Sequence, residues 1–111
     1  EKGHPKCWVE VKSVTMLLKE KMAAFPDSVT KRGTKHLVEL VERVREGDRA
    51  VQLFLVSRQD AEQMCAAQHI DPVYAKHLRW AASEGVEILA HKADLHIQEI
   101  TVGPQIPVLL D

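Results

Sequence analysis

Ala50-Val51-Gln52-Leu53-Phe54-Leu55-Val56 is an almost unbroken apolar run, and its reading decides the fold. Seven residues without polar alternation predict a strand covered on both faces, the place that central parallel strands occupy. Just upstream the period is helical. Leu37, Leu40, Val41 and Val44 share one side, with Glu39, Glu42, Arg43 and Arg45 on the other. Gly47 is the expected stop, and Thr30 or Thr34 is the expected cap at the start. Downstream, a polar segment leads to Asp71-Pro72, which reads as an N-cap followed by the first helical residue. The core face of that second helix is read as Val73, His77 or Leu78, and Ala81, with its end at Gly85. Val86 to Ala90 then reads as a third buried strand and Ile97 to Val102 as a short alternating one; Pro104 and Pro107 mark the tail as irregular or sheet-edge.

At the other end, Cys7 to Thr15 alternates. Cys7, Val9 and Val11 fall on one side, read as the core side, and Trp8, Glu10 and Lys12 on the other. Strand, helix, strand, helix, strand predicts right-handed parallel crossovers in an α/β domain. A dinucleotide-binding domain is disfavoured, because no glycine-rich turn follows the first strand to cradle a pyrophosphate. A long connection, Met16 to Thr30, stands there instead; connections of that length are often functional.

With 111 residues, 45% hydrophobic and 28% charged, the chain has the size and composition of one globular domain. It carries 15 Lys+Arg against 16 Asp+Glu, a net charge of −1, so any nucleic-acid site must be a local patch. No apolar run reaches the ~20 residues of a membrane span. No signal peptide is visible, and two cysteines are too few for a disulfide framework, which makes a reducing, cytoplasmic setting the default. The polar start Glu1-Lys2-Gly3-His4-Pro5 suggests a piece of something longer.

Two features carry chemistry. Glu10 and Lys12 lie two apart on a strand, hence on one face about 6.6 Å apart along it. A carboxylate so placed can hold a hard cation such as Mg2+, while the ammonium orients a water beside it. The same pair also reads as an ordinary salt pair on a solvated sheet face. The second feature is Lys31, Arg32, Lys35 and His36 at a helix start, where the helix dipole favours anions rather than cations. That placement suits an external phosphate, and equally a solvated basic rim. Zinc is rejected, since Cys65, His69 and His77 lack ligand spacing, and His77 reads as a core-edge histidine. Ser13, Ser28 and Ser57 show no nucleophile-elbow context. Tyr74 and Trp80 fit a packed helix. Asp27 reads as a turn residue that could also reach the Glu10 face.

Glu10-Val11-Lys12-Ser13-Val14-Thr15, Phe25-Pro26-Asp27-Ser28-Val29-Thr30, Arg32-Gly33 and Lys35-His36-Leu37 resemble the signature of the sugar fermentation stimulation protein family. The likeness continues through Arg49-Ala50-Val51, Asp71-Pro72, Tyr74-Ala75 and Gly85 to Ala90. It implies a restriction-endonuclease-like fold, a mixed, partly parallel sheet flanked by helices. It also implies that residues 1–111 are the C-terminal domain of a longer bacterial protein whose N-terminal part resembles an OB-fold. The family is described as DNA-binding, with suspected nuclease ancestry and a link to sugar-metabolism genes. Carried over, Glu10 is a metal ligand for Mg2+ or Mn2+, Lys12 is the catalytic lysine, and Arg32, Lys35 and His36 contact phosphate. No small-molecule cofactor is expected. The resemblance departs twice: the family's metal-binding Asp lies on a strand upstream of Glu10, and Lys31 stands where a Glu is expected.

Overall fold

The computed structural model describes residues 6–95 and 100–110. Ten elements follow in chain order: β1 (Cys7–Val14), β2 (Met16–Lys19), β3 (Met22–Phe25), α1 (Lys31–Arg45), β4 (Arg49–Val56), β5 (Gln63–Ala66), α2 (Pro72–Ser83), β6 (Glu87–Leu95), β7 (Ile100–Ile106) and β8 (Val108–Leu109). They build two four-stranded sheets, ordered β1-β4-β6-β7 and β2-β3-β5-β8. The first sheet is parallel from β1 to β6, and β7 closes it antiparallel. The expected mixed, partly parallel α/β architecture is therefore present.

β4 is the centre, as its apolar run predicts: Ala50, Phe54 and Val56 are fully buried. Against them pack Leu37, Leu40 and Val41 of α1 and Tyr74, Leu78 and Ala81 of α2. Thr30 caps α1, its hydroxyl accepting from the Gly33 N–H at 2.9 Å, and Gly47 ends it at φ +97°, in the left-handed region open to glycine. Asp71 caps α2 as expected.

Four expectations need correction. The first concerns which side of β1 faces inward. Cys7 is exposed, and Val9 and Val11 stand 52% and 48% exposed, while Glu10 and Lys12 are half-buried. The alternation is right but its sense is reversed, because β1 is an edge strand and α1 lies over the face that carries Glu10 and Lys12.

The connection from Met16 to Thr30 is likewise no plain loop. It holds the β2–β3 hairpin, with Lys21 at φ 63° in its turn, and β3 then pairs in parallel with β5. β5 itself lies in the polar segment that precedes Asp71-Pro72.

In α2 the core face is Tyr74, Ala75, Leu78 and Ala81. Val73 is exposed and His77 only half-buried. The cap at Asp71 sets this phase, and the Tyr74 ring takes the space beside Phe25, with ring centroids 5.4 Å apart.

The strand expected over Ile97 to Val102 is seen as β7 from Ile100, its first residues lying outside the described ones; Pro104 falls within this edge strand. β6 runs on to Leu95, beyond the expected Ala90.

Candidate functional site

Parallel pairing sets Glu10 opposite Gln52 and Lys12 opposite Phe54, on the sheet face beneath α1. The second turn of α1 brings His36 onto the same place. Lys12 Nζ lies 2.8 Å from His36 Nδ1 and 3.4 Å from Glu10 Oε2, and His36 Nδ1 lies 3.4 Å from the same carboxylate oxygen. An ammonium only donates, so Lys12 is the donor and Nδ1 the acceptor. This contact assigns the neutral tautomer with its proton on Nε2. Lys12 thus bridges Glu10 and His36, and the imidazole keeps an Nε2–H to offer elsewhere. The three side chains are 32%, 15% and 17% exposed for Glu10, Lys12 and His36. They are reachable from solvent yet far less screened than surface charges.

Lys31, Arg32 and Lys35 sit exposed on the first turns of α1, and none pairs with an acid among the described residues. The first turn holds no acidic residue at all. Helical spacing places Lys31 beside Lys35 and Arg32 beside His36, one turn apart. The structure therefore joins His36 to the Glu10–Lys12 pair and lays the other three cations along the adjoining helix start. Asp27 stays apart: it is exposed and makes no described contact with Glu10. Among the described residues no group of three His, Cys, Asp or Glu side chains is arranged to hold a metal ion.

The sequence reading missed three features. Gln52, fully buried, donates its Nε2 to the Glu10 carbonyl at 3.0 Å. A lone polar residue inside an apolar strand was the available signal. Asp71 accepts from the Tyr74 N–H at 2.9 Å and from the Thr30 N–H at 2.8 Å, so one carboxylate ties the starts of both helices together. Beside the site a cleft of about 150 Å3 is lined by Trp8, Glu10, His36, Glu39 and Arg43, among others. The Trp8 indole donates to Asp48 at 2.9 Å, and the Arg43 guanidinium lies 4.6 Å from its ring centroid. Burial pushes the Tyr74 phenol up, and the charges of Glu10 and Asp71 push it further. Burial also raises the Cys65 thiol.

Fold and site together define a mixed α/β domain in which a Glu-x-Lys strand faces a basic helix start. A sequence profile of the sugar fermentation stimulation protein RE domain matches residues 1–99. The chain belongs to the sugar fermentation stimulation protein family. It is 52% identical over 104 residues to the sugar fermentation stimulation protein homolog of Geobacter sp. (strain M21), covering 94% of this chain and 45% of that one. It is 53% identical over 91 residues to the homolog of Maricaulis maris (strain MCS10), covering 82% and 39%. Among solved structures it is similar to Pyrococcus furiosus SfsA in complex with Ca2+, with a TM-score of 0.82 and 30% identity over 93% of this chain and 45% of that one. The chain thus spans less than half the length of these relatives. No helix among the described residues is long and apolar enough to cross a membrane.

Proposed function

We propose that this chain binds DNA through the start of α1. Lys31, Arg32 and Lys35 take backbone phosphates, and the His36 Nε2–H donates to a further phosphate oxygen beside Lys12. The observation that carries this is three exposed cations, without acidic partners among the described residues, at the positive end of a helix dipole. An external anion arriving there relieves the repulsion between them. The reading takes the cytoplasm as its compartment and sugar-metabolism genes as targets. Fluorescence anisotropy against labelled duplex, repeated across a salt series, tests it. Each lost phosphate contact flattens the slope of log K against log salt by about 0.9, so a Lys31→Ala/Arg32→Ala/Lys35→Ala variant should lose about two to three units of slope. An unchanged slope would refute it.

The contact between Lys12 and Glu10 favours a second reading, metal-dependent phosphodiester cleavage. The residues present fit a cation in part. Glu10 offers one carboxylate, at the edge of the cleft. Mg2+ or Mn2+ keeps several waters and often relies on substrate phosphates for the rest. The Ca2+ held by the Pyrococcus furiosus relative supports the same idea. A bound cation supplies charge neutralisation at the phosphate and a more acidic water. On this reading Lys12 holds the attacked phosphate or the water by donation, His36 fixes the direction of Lys12, and a further carboxylate comes from an upstream Asp outside residues 1–111. Cleavage of labelled DNA with Mg2+ or Mn2+ by a full-length relative, lost on the Lys12→Ala equivalent, is the expected result. Retained cleavage in that variant would refute the role of Lys12.

A further inference from the structure

Trp8 stands two residues before Glu10 on β1, hence on the same strand face. Its ring is 38% exposed yet firmly held. The indole N–H donates to Asp48, whose other carboxylate oxygen accepts from the Lys6 N–H at 3.1 Å. The Arg43 guanidinium over the ring is in turn tied to Glu46 at 3.0 Å. Trp8 lines the cleft together with His36, Glu39 and Arg43 of α1. Arg32, His36, Glu39 and Arg43 recur at helical spacing, so one stripe of α1 runs from the basic start into the cleft.

A phosphate is a poor occupant here. Glu10 and Glu39 place two carboxylates on the lining, and Glu39 has no partner among the described residues. Carboxylates accept from the N–H groups of a nucleobase, and an aromatic ring stacks on its face. From Glu10 to Trp8 is about 6.6 Å along the strand, about two nucleotide steps at 3.4 Å each. A strand whose phosphates lie on the α1 cations therefore reaches the cleft within a nucleotide or two. In a duplex the base faces are stacked on one another and closed to a side chain.

We propose that the Trp8 cleft takes one unpaired base of single-stranded DNA, stacked on the indole, while the neighbouring phosphates lie on the cations of α1. This rests on the DNA reading above and names the form of DNA preferred, single strand over duplex. Glu39 accepts from the N–H groups of the base. Lys6, whose ammonium lies 5.7 Å from the ring centroid on an exposed side chain, moves aside to the next phosphate. The fixed indole enters the complex already ordered, which spares binding that cost.

An unlabelled thymidylate oligomer is the probe. The chain has two tryptophans, so a Trp80→Phe variant reports on Trp8 alone. Its emission should fall when the oligomer is added and stay constant when a duplex is added. Trp8→Leu should weaken oligomer binding about tenfold, within the range for one stacked base, and Trp8→Phe, which keeps a ring but loses the N–H to Asp48, by less than about threefold. Neither should alter the salt slope, since no phosphate contact is lost. A purely structural Trp8 gives another pattern, a lower Tm in both variants with unchanged oligomer affinity, and overturns the assignment. If Trp8→Leu fails to fold, the emission of Trp8 decides: quenching by the oligomer alone supports the cleft, and no quenching, or equal quenching by duplex, overturns it. Salt-dependent binding without quenching overturns the cleft and leaves the DNA reading standing. Binding of neither oligomer nor duplex overturns both.

Discussion

Replacing Asp71 with alanine should be among the most destabilising single changes in this protein. The side chain is 3% exposed, and both of its oxygens are engaged. Oδ1 caps α2 through the Tyr74 N–H; losing an N-cap costs about 1 kcal/mol. Oδ2 accepts from the Thr30 N–H, in a hydrogen bond strengthened by the ionised acceptor and worth about 1.5–3 kcal/mol. Alanine leaves both donors short of partners, so the sum is about 2.5–4 kcal/mol, a large share of the 5–15 kcal/mol typical of a domain. At this chain length that corresponds to a Tm lower by about 10–15 °C. Asp71→Asn keeps one acceptor oxygen and should cost about half as much. Urea denaturation followed by circular dichroism, with the m-value checked for constancy, measures the difference. An Asp71→Ala variant within about 0.5 kcal/mol of the wild type would refute the idea that this carboxylate ties the two helix starts together.

Gly33→Ala should destabilise by about 1–3 kcal/mol although alanine is the better helix former. Its Cβ would meet Thr30 Cγ2 at 2.9 Å and Tyr74 Cε1 at 3.1 Å, and thermal melts would show the loss. The Asp48 carboxyl is held below its usual range, first by the Trp8 indole N–H and then by the Lys6 main chain. A lowered folded-state value contributes stability that is present above about pH 4 and lost as pH falls through the folded value. Asp48→Asn should therefore flatten the acid limb of a pH–stability curve followed by tryptophan fluorescence; an unaltered limb would count against the contact. Under native conditions a thiol reagent should modify exposed Cys7 quickly and Cys65 slowly, because burial raises the Cys65 thiol. Equal rates would contradict that placement.

The parts of the fold that reached the sequence were those with long-range physical signatures. β4 announces itself by burial on both faces, α1 by period and cap, and α2 by its Asp71-Pro72 start rather than by its period. The Glu10–Lys12 pair and the basic helix start were visible as residue types. Their meeting through His36 was not, because it depends on the tertiary register of α1 over β1. The β2–β3 hairpin hides because its turn is Glu20-Lys21, with no glycine or asparagine to mark it. The inward sense of β1 hides for a deeper reason. Alternation fixes which residues share a face, but the location of the helices decides which face is covered. Asp71 was legible as one cap and not as two, since its second partner lies 41 positions away.

The inverted face of β1 bears on colloidal behaviour. An edge strand is a template for another strand, and proteins protect such edges by, among other devices, pointing charges inward. In Trp8-Val9-Glu10-Val11-Lys12 the half-buried positions are the charged ones. Whatever chemistry they serve, Glu10 and Lys12 therefore also stop an otherwise valine-rich ribbon from recruiting its neighbours. Selection that discarded the chemistry would still have reason to keep the charges, since a chain with valine at both positions would present an unbroken apolar β-segment, the kind from which fibrils grow.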